Sequence, residues 1–423
     1  MTTLAIQIAV GVMILLFLKT GVEILLAVIN QQEVKKHRSS PPKPLREVMD
    51  QETYQKAADY TLEKSRFGIL SEMFGLGVLL LVLFTGILPL LYHLLGGGSD
   101  SGIWTESLFL IVVVLLLSLP SLPLEYYSQF HLEEKYGFNK STVGLWITDK
   151  GKGLVIGLIL GVPLVTLLFW LVQVGGPYWW IGGFVVVFVF QLLLMVIYPM
   201  VILPWFNKLE PLPEGSLRDR LMKLADRTGF AARTIQVMDG SKRSGHSNAF
   251  FTGFGKFRRI VLFDTLVEQL EEDELEAVLA HEIGHYKKGH IPKTLLLSAL
   301  MLLGLFGALA WLLEMPAFLQ AFYFDPWQTG VGPAFLLFFL LAGAFTFWLT
   351  PLFNLLSRKH EYEADAFARE HAGGIEPMVG ALRKLSEKNL SNLTPHPLYS
   401  GFYYSHPTLL ERETALRKSQ GEA

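Results

Sequence analysis

The residues of this chain most suited to chemistry are His281, Glu282 and His285, in the run His281-Glu282-Ile283-Gly284-His285. The surrounding sequence is typical of a helix, so two histidines four residues apart lie on one helix face, one turn apart. Both imidazoles can then bind one metal ion, while the glutamate beside the first takes a proton from an attacking water. This spacing predicts a zinc site that hydrolyses peptide bonds, with Glu282 as the general base.

A third metal ligand must come from elsewhere, because a catalytic zinc site has three protein ligands and one open position. The chain contains no cysteine, which excludes thiolate ligands and disulfides. Glu361 and Asp365 lie four residues apart in a predicted helix and share one of its faces. One carboxylate can bind the metal while the other accepts a hydrogen bond from a ligand histidine. Spacing alone leaves Glu363 as a rival third ligand.

The composition indicates an integral membrane protein. Of 423 residues, 51% are hydrophobic and only 17% are charged, and the mean hydropathy is +0.38. Seven apolar stretches reach the roughly 20 residues that a membrane-spanning helix needs. They fall near residues 3–29, 67–95, 103–127, 153–174, 178–205, 294–322 and 332–356. The net charge of −2 offers no basic surface for nucleic acid.

The connections between these stretches alternate in charge. Lys and Arg occur in the first, third and fifth connections and in the tail after residue 357, and the other three connections have none. The positive-inside rule therefore predicts an external N-terminus, a cytoplasmic C-terminus and a cytoplasmic active site. Lys19, Glu23 and Glu72 are charged residues within predicted spans, where charge is costly, and we expect them to pair or to face a cavity.

The predicted organisation has four parts. Residues 1–205 hold spans one to five and their loops, and residues 206–293 hold a small α+β protease domain. Residues 294–356 hold spans six and seven, and residues 357–423 complete the protease domain with the third ligand. Within the first polar region the patterns predict a helix over 216–228, strands at 235–238, 248–253 and 259–263, and the metal helix over 271–290.

Six sequence motifs together resemble the type I CAAX prenyl protease family of integral-membrane zinc metalloproteases, which are gluzincins. They are HEIGH, SRKHEYEADAFA, HSNAFFTGFG, RRIVLFDTL, EEKYGFNKST and YSHPTLLER. The match extends over nearly the whole chain. The resemblance implies a mainly α fold, with a ring of seven transmembrane helices around a large water-filled chamber. A small zincin-like α+β domain would cap this chamber on the cytoplasmic side.

The resemblance also implies roles for individual residues around the metal and on an edge strand. It selects Glu361 over Glu363 as the third ligand and places Asp365 behind the ligands. Asn248 and Ala249 match the family's substrate-binding pair. An extended peptide can add to such an exposed strand edge through main-chain hydrogen bonds.

The family's C-terminal motif corresponds to His406 and Arg412. His406 can donate a hydrogen bond to the oxyanion that forms when the scissile carbonyl becomes tetrahedral, and Arg412 is a candidate for substrate binding. From the sequence alone His406 could equally be a surface histidine, and Arg412 could form a salt bridge on its own helix face. We interpret His246 and His290 as ordinary structural histidines and do not expect them to be metal ligands.

The predicted function is that of a membrane-embedded zinc endopeptidase, resembling the protease that removes the C-terminal tripeptide of prenylated proteins. We expect one zinc ion per chain, a monomer in the lipid bilayer, and a peptide or protein substrate. One alternative is a quality-control metalloprotease without a prenylated substrate. Another is a seven-span transporter or receptor with a vestigial protease domain, which the intact Glu282 disfavours. The tail shows no ER retrieval signal, which favours a bacterial inner membrane over the ER.

Overall fold

The first half of the chain is a series of long apolar helices, as the composition predicts. A computed structural model describes residues 1–230, 234–252 and 259–418. Short 3-10 and π-helical turns join α4 to α6 and α8 to α9, so each group forms one nearly continuous rod. The helices are α1 Thr3–His37, α2 Gln51–Phe84, α3 Ile87–Leu94, α4 Ile103–Ser118, α5 Leu122–Tyr127, α6 Glu134–Tyr136, α7 Val143–Val174, α8 Trp179–Ile197 and α9 Leu203–Phe206.

A small sheet and three helices follow. They are β1 Leu209–Pro211, α10 Ser216–Arg227, β2 Thr234–Met238, β3 Ala249–Thr252, β4 Arg259–Phe263, α11 Asp264–Gln269 and α12 Glu272–Lys287. The strand order is β1-β2-β4-β3, with β2 and β4 parallel and the outer pairs antiparallel. The predicted strands agree with β2, β3 and β4, except that Gly253 lies outside the described residues. β1 was not predicted, and its Pro211 is tolerated because this strand lies at an edge.

The last part of the chain returns to the membrane and then to the protease domain. Its helices are α13 His290–Leu313, α14 Pro316–Gln320, α15 Gly332–Thr346, α16 Thr350–His371, α17 Glu376–Lys388, α18 Pro397–Tyr403 and α19 Leu409–Lys418. A single 3-10 turn joins α15 to α16, so Gly332–His371 forms one apolar-to-polar rod of 40 residues. The seventh span therefore continues directly into the segment that carries Glu361.

Seven helical segments among the described residues are long and apolar enough to cross a membrane, which confirms the predicted number. Two predicted ends are wrong. The second span ends at Phe84, because Gly86 adopts a positive φ of 77° and starts the separate helix α3. Residues 316–322 lie in and just after α14 instead of extending the sixth span. Each segment packs one side into a protein core that includes Tyr92 and Phe322, although Leu90 and Leu94 of α3 are exposed.

The membrane helices enclose an interior space. Helices α4, α7, α8, α13 and α15 contact one another in that order, and α15 returns to contact α4. Helix α1 contacts both α2 and α15, which joins the first two spans to this ring. The family resemblance predicted a ring of all seven spans around a water-filled chamber. These contacts close a ring of five spans around an apolar cavity of about 790 Å³, and the water-filled chamber stays a prediction.

The core of the protease domain also includes side chains from two membrane connections. Leu45 and Tyr54 from the first connection and Tyr136 from the third pack with Leu275 and Leu279 of α12. Both connections therefore lie on the same side of the spans as the protease domain. At the opposite end, the Thr2 hydroxyl donates to Gln320 Oε1 at 3.1 Å.

Candidate active site

Helix α12 presents the first group of candidate residues and begins with a capping box. The Glu274 carboxylate accepts a hydrogen bond from the Glu271 N–H at 2.8 Å, and the Glu271 side chain accepts one from the Glu274 N–H. Acidic residues in the first turn also suit the positive end of the helix dipole. This start fixes the helix, which then carries His281, Glu282 and His285.

Gly284 allows α12 and α16 to approach each other closely. A Cβ atom at this position would lie 3.0 Å from the Cα of Ala364 and 3.1 Å from the Cβ of Phe367. Those distances are shorter than ordinary van der Waals contacts, so a larger residue would push the helices apart. This glycine thus allows Glu361, one turn before Ala364, to lie next to the two histidines.

Three side chains converge at this helix crossing. His281 Nε2 and His285 Nε2 lie 3.1 Å apart. Glu361 Oε2 lies 3.4 Å from His281 Nε2, and Glu361 Oε1 lies 3.2 Å from His285 Nε2. These three residues are the group among the described residues whose ligand atoms could hold one metal ion.

The convergent residues fit a metal ion. Ligand atoms about 2.0–2.1 Å from a tetrahedral ion are spaced about 3.3–3.4 Å from one another, close to the observed separations. The Glu361 carboxylate is buried, and its Oε2 accepts no hydrogen bond from the described residues. A buried carboxylate oxygen without a partner costs free energy, and a bound cation would remove that cost.

His281 is held from behind by Asp365 and Arg412. Its Nδ1 lies 2.8 Å from Asp365 Oδ1, and Arg412 Nε and Nη2 donate to the two oxygens of Asp365 at 2.8 and 2.5 Å. Burial lowers the pKa of His281, but the two carboxylates beside its ring nitrogens, Asp365 and Glu361, outweigh burial and raise the pKa to about 9. These carboxylates therefore strongly favour a positive charge at this ring, whether a proton or a metal supplies it.

The structure places Arg412 behind the convergent group, and its predicted contact with substrate stays a prediction. Its guanidinium is buried, binds Asp365 through two nitrogens and lies 3.5 Å from Glu361 Oε2 through Nη1. Among the described residues it makes no salt bridge along its own helix face. The Asp365 pairing joins residues 47 positions apart, which spacing within one helix could not indicate.

His285 has a different partner. Its Nδ1 lies 2.9 Å from His290 Nδ1, and His290 Nε2 lies 2.9 Å from Glu363 Oε2. The metal helix predicted over 271–290 ends at Lys287, and Gly289, with φ of 66°, starts α13 at His290. Neither His290 nor Glu363 belongs to the convergent group. Sequence reasoning missed this contact, and the glycine before His290 is the signal that could have indicated it.

Glu282 and His406 lie beside the convergent group. Burial raises the pKa of Glu282, and the nearby His281 and His285 partly oppose this effect. A raised pKa suits a carboxylate that must both take and return a proton near neutral pH. The His406 ring is largely exposed, with Nε2 3.5 Å from Glu361 Oε1 and Nδ1 2.9 Å from the Ser405 hydroxyl.

Strand β3 lies at the edge of the sheet and contacts α12. The Phe263 N–H donates to the Asn248 carbonyl at 3.1 Å, and Ala249 is paired with Leu262. Because main-chain groups alternate along an antiparallel strand, the N–H and C=O of Ala249 point away from β4, toward the open edge. The Asn248 amide oxygen accepts from that Ala249 N–H at 2.8 Å.

The other residues singled out in the sequence do not belong to the convergent group. His246 stacks on Phe138, with ring centroids 3.9 Å apart. Lys19 Nζ lies 2.7 Å from both oxygens of Glu23 and 3.9 Å from Glu72 Oε2. Glu23 and Glu72 also line a cavity of about 580 Å³. These intramembrane charges therefore both pair and face a cavity.

Comparison with known proteins places this site in a family. Residues 30–208 match the family model of the CAAX prenyl protease N-terminal region with five membrane helices, and residues 211–420 match that of peptidase family M48. CAAX prenyl protease 1 of Saccharomyces cerevisiae is 39% identical, over 91% of this chain and 90% of the yeast protein. The human CAAX prenyl protease 1 homolog is 33% identical, over 92% and 90%.

A solved structure agrees with this assignment. The crystal structure of S. mikatae Ste24p superimposes with a TM-score of 0.90 at 36% identity, covering 96% of this chain and 98% of that one. The likeness therefore includes both the membrane helices and the protease domain. The chain belongs to peptidase family M48 and is a membrane-embedded metalloendopeptidase that resembles the CAAX prenyl proteases.

Proposed function

We propose that this chain is a zinc endopeptidase that holds one zinc ion through His281, His285 and Glu361. The observation that carries the proposal is the convergence of their ligand atoms, 3.1–3.4 Å apart, beside Glu282. Two imidazoles and one carboxylate are a donor set typical of catalytic zinc, and the chain has no cysteine to offer instead. Glu363 points to His290 and is not proposed as a ligand.

The zinc ion would supply Lewis-acid activation of the scissile carbonyl. Glu282 takes a proton from the attacking water and passes it to the leaving amine. His406 donates a hydrogen bond to the carbonyl oxygen as that oxygen gains negative charge. Asp365 fixes the ring of His281, and Arg412 in turn holds Asp365. A direct contact between Arg412 and substrate stays a prediction.

We propose that the substrate lies along β3. The outward N–H and C=O of Ala249 can pair with an extended peptide, and this edge lies beside the metal helix. The Asn248 side chain, which is exposed, can turn from the Ala249 N–H to an amide of the peptide. Strand addition of this kind holds the main chain and tolerates varied side chains.

We propose that the substrate carries a prenylated cysteine close to its C-terminus and that cleavage releases the last three residues. Support comes from the relatives named CAAX prenyl protease 1, which match more than nine-tenths of this chain. A cavity of about 790 Å³ between the membrane helices supports it as well. Its lining consists only of Leu, Ile, Val, Phe, Ala and Gly residues, which suits a hydrocarbon chain.

A pair of peptides tests this function. We expect the purified chain in detergent to cleave a farnesylated peptide with a kcat/KM at least about tenfold above that of its unmodified twin, because tenfold needs only about 1.4 kcal/mol. Burial of a few methylene groups supplies that much free energy. A chelator should abolish cleavage and zinc should restore it. Equal cleavage of both peptides would favour a quality-control protease, and a lack of chelator-sensitive cleavage would contradict the proposal altogether.

We also propose that the protease domain, formed by residues 206–293 and 357–423, faces the cytoplasm. The two connections that pack into its core, 30–66 and 128–152, are the basic ones. All proposed ligands and the base lie in one chain, so we propose that it acts as a monomer. The preference for a bacterial inner membrane rests only on the missing retrieval signal and gains no support from the yeast and human relatives.

Single cysteines can test this orientation, because the chain has none of its own. We expect Asp100→Cys to react with a membrane-impermeant thiol reagent added to intact cells. Lys43→Cys should react only after the membrane is permeabilised, because it lies in the basic first connection. Both positions are exposed. The reverse labelling pattern would put the active site on the outer side.

A further inference from the structure

The two histidines of the proposed metal site lie on the same helix, α12, but have different hydrogen-bond partners. Asp365 directly contacts Nδ1 of His281 at 2.8 Å. Nδ1 of His285 instead meets the imidazole of His290 at 2.9 Å, and only the far side of that second ring reaches a carboxylate, Glu363, at 2.9 Å. The family comparison assigns nothing to His290 or Glu363.

The row of hydrogen bonds from His285 through His290 to Glu363 has only one arrangement of donors and acceptors. If Nε2 of His285 gives its lone pair to a metal, the proton of that ring must be on Nδ1. Two facing Nδ1 atoms share one proton, so His290 accepts at Nδ1 and carries its own proton on Nε2. That proton faces Glu363 Oε2. Each of the three groups thus has one compatible role.

We propose that His290 and Glu363 are positioning residues for the metal, forming a relay that fixes the ring orientation and the metal-binding tautomer of His285. This inference rests on the proposed zinc site. Such indirect partners commonly change metal affinity by about 10–100-fold. Through this relay, α16 would supply the third ligand, Glu361, and carboxylate anchors for both ligand histidines.

The break between α12 and α13 makes the relay possible. In an unbroken helix, residues five apart point about 140° from each other and are separated along the axis, so their rings would not meet. Gly289, with a positive φ of 66°, ends α12 and redirects the chain. The first residue of the sixth membrane span then packs against a proposed metal ligand.

The surroundings of His290 hold its ring in place. His290 is 3% exposed, and its ring stacks on His360 with centroids 4.0 Å apart and an interplanar angle of 11°. A buried imidazole nitrogen without a partner would cost free energy. Both nitrogens of His290 are used, one toward the metal ligand and one toward Glu363. Any buried histidine needs such partners, so the support for a relay is their identity: one is a proposed metal ligand and the other is a carboxylate.

Zinc affinity, measured on the full chain in detergent by competition with a chromophoric chelator, tests the relay without any substrate. We expect His290→Phe, which keeps the stacking ring and removes both contacts, to raise the zinc dissociation constant about 10–100-fold. His290→Asn restores an acceptor near the position of Nδ1 and should recover part of that loss. Glu363→Gln, which keeps an acceptor oxygen, should lose less affinity than Glu363→Ala.

Two reference variants separate this inference from the zinc site itself. Lys359→Met, an exposed neighbour 3.9 Å from Glu363, should bind zinc as the wild type does. Glu361→Ala should lose zinc; if it does not, the assignment of the metal site is wrong. If Glu361→Ala loses zinc while His290→Phe keeps wild-type affinity, or if His290→Asn recovers nothing, the relay is wrong and the zinc site stands. The d–d absorption of bound Co²⁺ should shift in the His290 variants, which general destabilisation would not cause.

Discussion

Replacing Glu282 by glutamine is expected to leave zinc bound and to lower kcat by about 10²–10⁴-fold, the usual contribution of a general acid–base residue. Glutamine has nearly the same shape as glutamate, but its amide cannot take a proton from water. Glu282 is not one of the three convergent ligands, so the metal should stay. Zinc content after dialysis and steady-state kinetics on one peptide measure the two quantities separately.

Glu268→Gln is the matched control, because Glu268 is an exposed glutamate on the neighbouring helix α11. It undergoes the same chemical change outside the site and should leave both zinc content and kcat unaltered. Near-normal turnover by Glu282→Gln with a full complement of zinc would remove Glu282 from the proton transfers. Loss of zinc along with activity would instead mean that its charge supports the metal.

The metal helix could be predicted because its information is local. His281 and His285 share a face at a spacing that any helix imposes. The role of Gly284 between them, which is to let α16 approach closely, is clear only from the folded structure. Helical phase also limits the choice between Glu361 and Glu363, which point about 200° apart. The sequence could not show which of them faces α12, because that depends on the rotation of α16 in the folded protein.

The Asp365 contact behind His281 was expected, but the contacts of Arg412 and His290 could not be predicted, since they depend on how separate segments fold together. Arg412 was considered as a partner of its neighbours or of substrate, yet its guanidinium binds Asp365 behind His281. His290 was not expected to be a ligand, and it is not one of the three convergent residues. Its contact with His285 could not be foreseen, because it depends on the redirection of the chain at Gly289. In both cases tertiary geometry, not residue type, decided the partner.

The prediction of two span ends was wrong for a different reason. Hydropathy reports that a segment avoids water, but it does not tell lipid from a protein core. Residues 87–94 and 316–322 are as apolar as the spans beside them, yet they pack around Tyr92 at the end opposite the protease domain. The predicted number of spans was still correct, because each span is much longer than these two segments.

Placing proline at Ala249 is expected to cripple cleavage of every peptide, with at least a tenfold fall in kcat/KM. The Ala249 N–H points to the open edge of β3, so proline would remove a donor that substrate uses, worth about 1 kcal/mol. Its ring would also project into the space where an added strand lies, about 4.7–4.9 Å away. The β3–β4 ladder uses other groups and should survive, so zinc content and Tm should change little.

Two neighbouring variants show whether the edge itself binds the peptide. Ala249→Gly keeps the N–H and should retain far more activity than Ala249→Pro. Asn248→Ala should cost a single hydrogen bond, about 1 kcal/mol, in kcat/KM. Because strand addition holds the main chain, the proline effect should be similar for peptides of unlike sequence. If Ala249→Pro cleaved normally with its zinc and Tm intact, substrate would have to be held by the walls of the membrane chamber, and the exposed edge of β3 would have no part in binding.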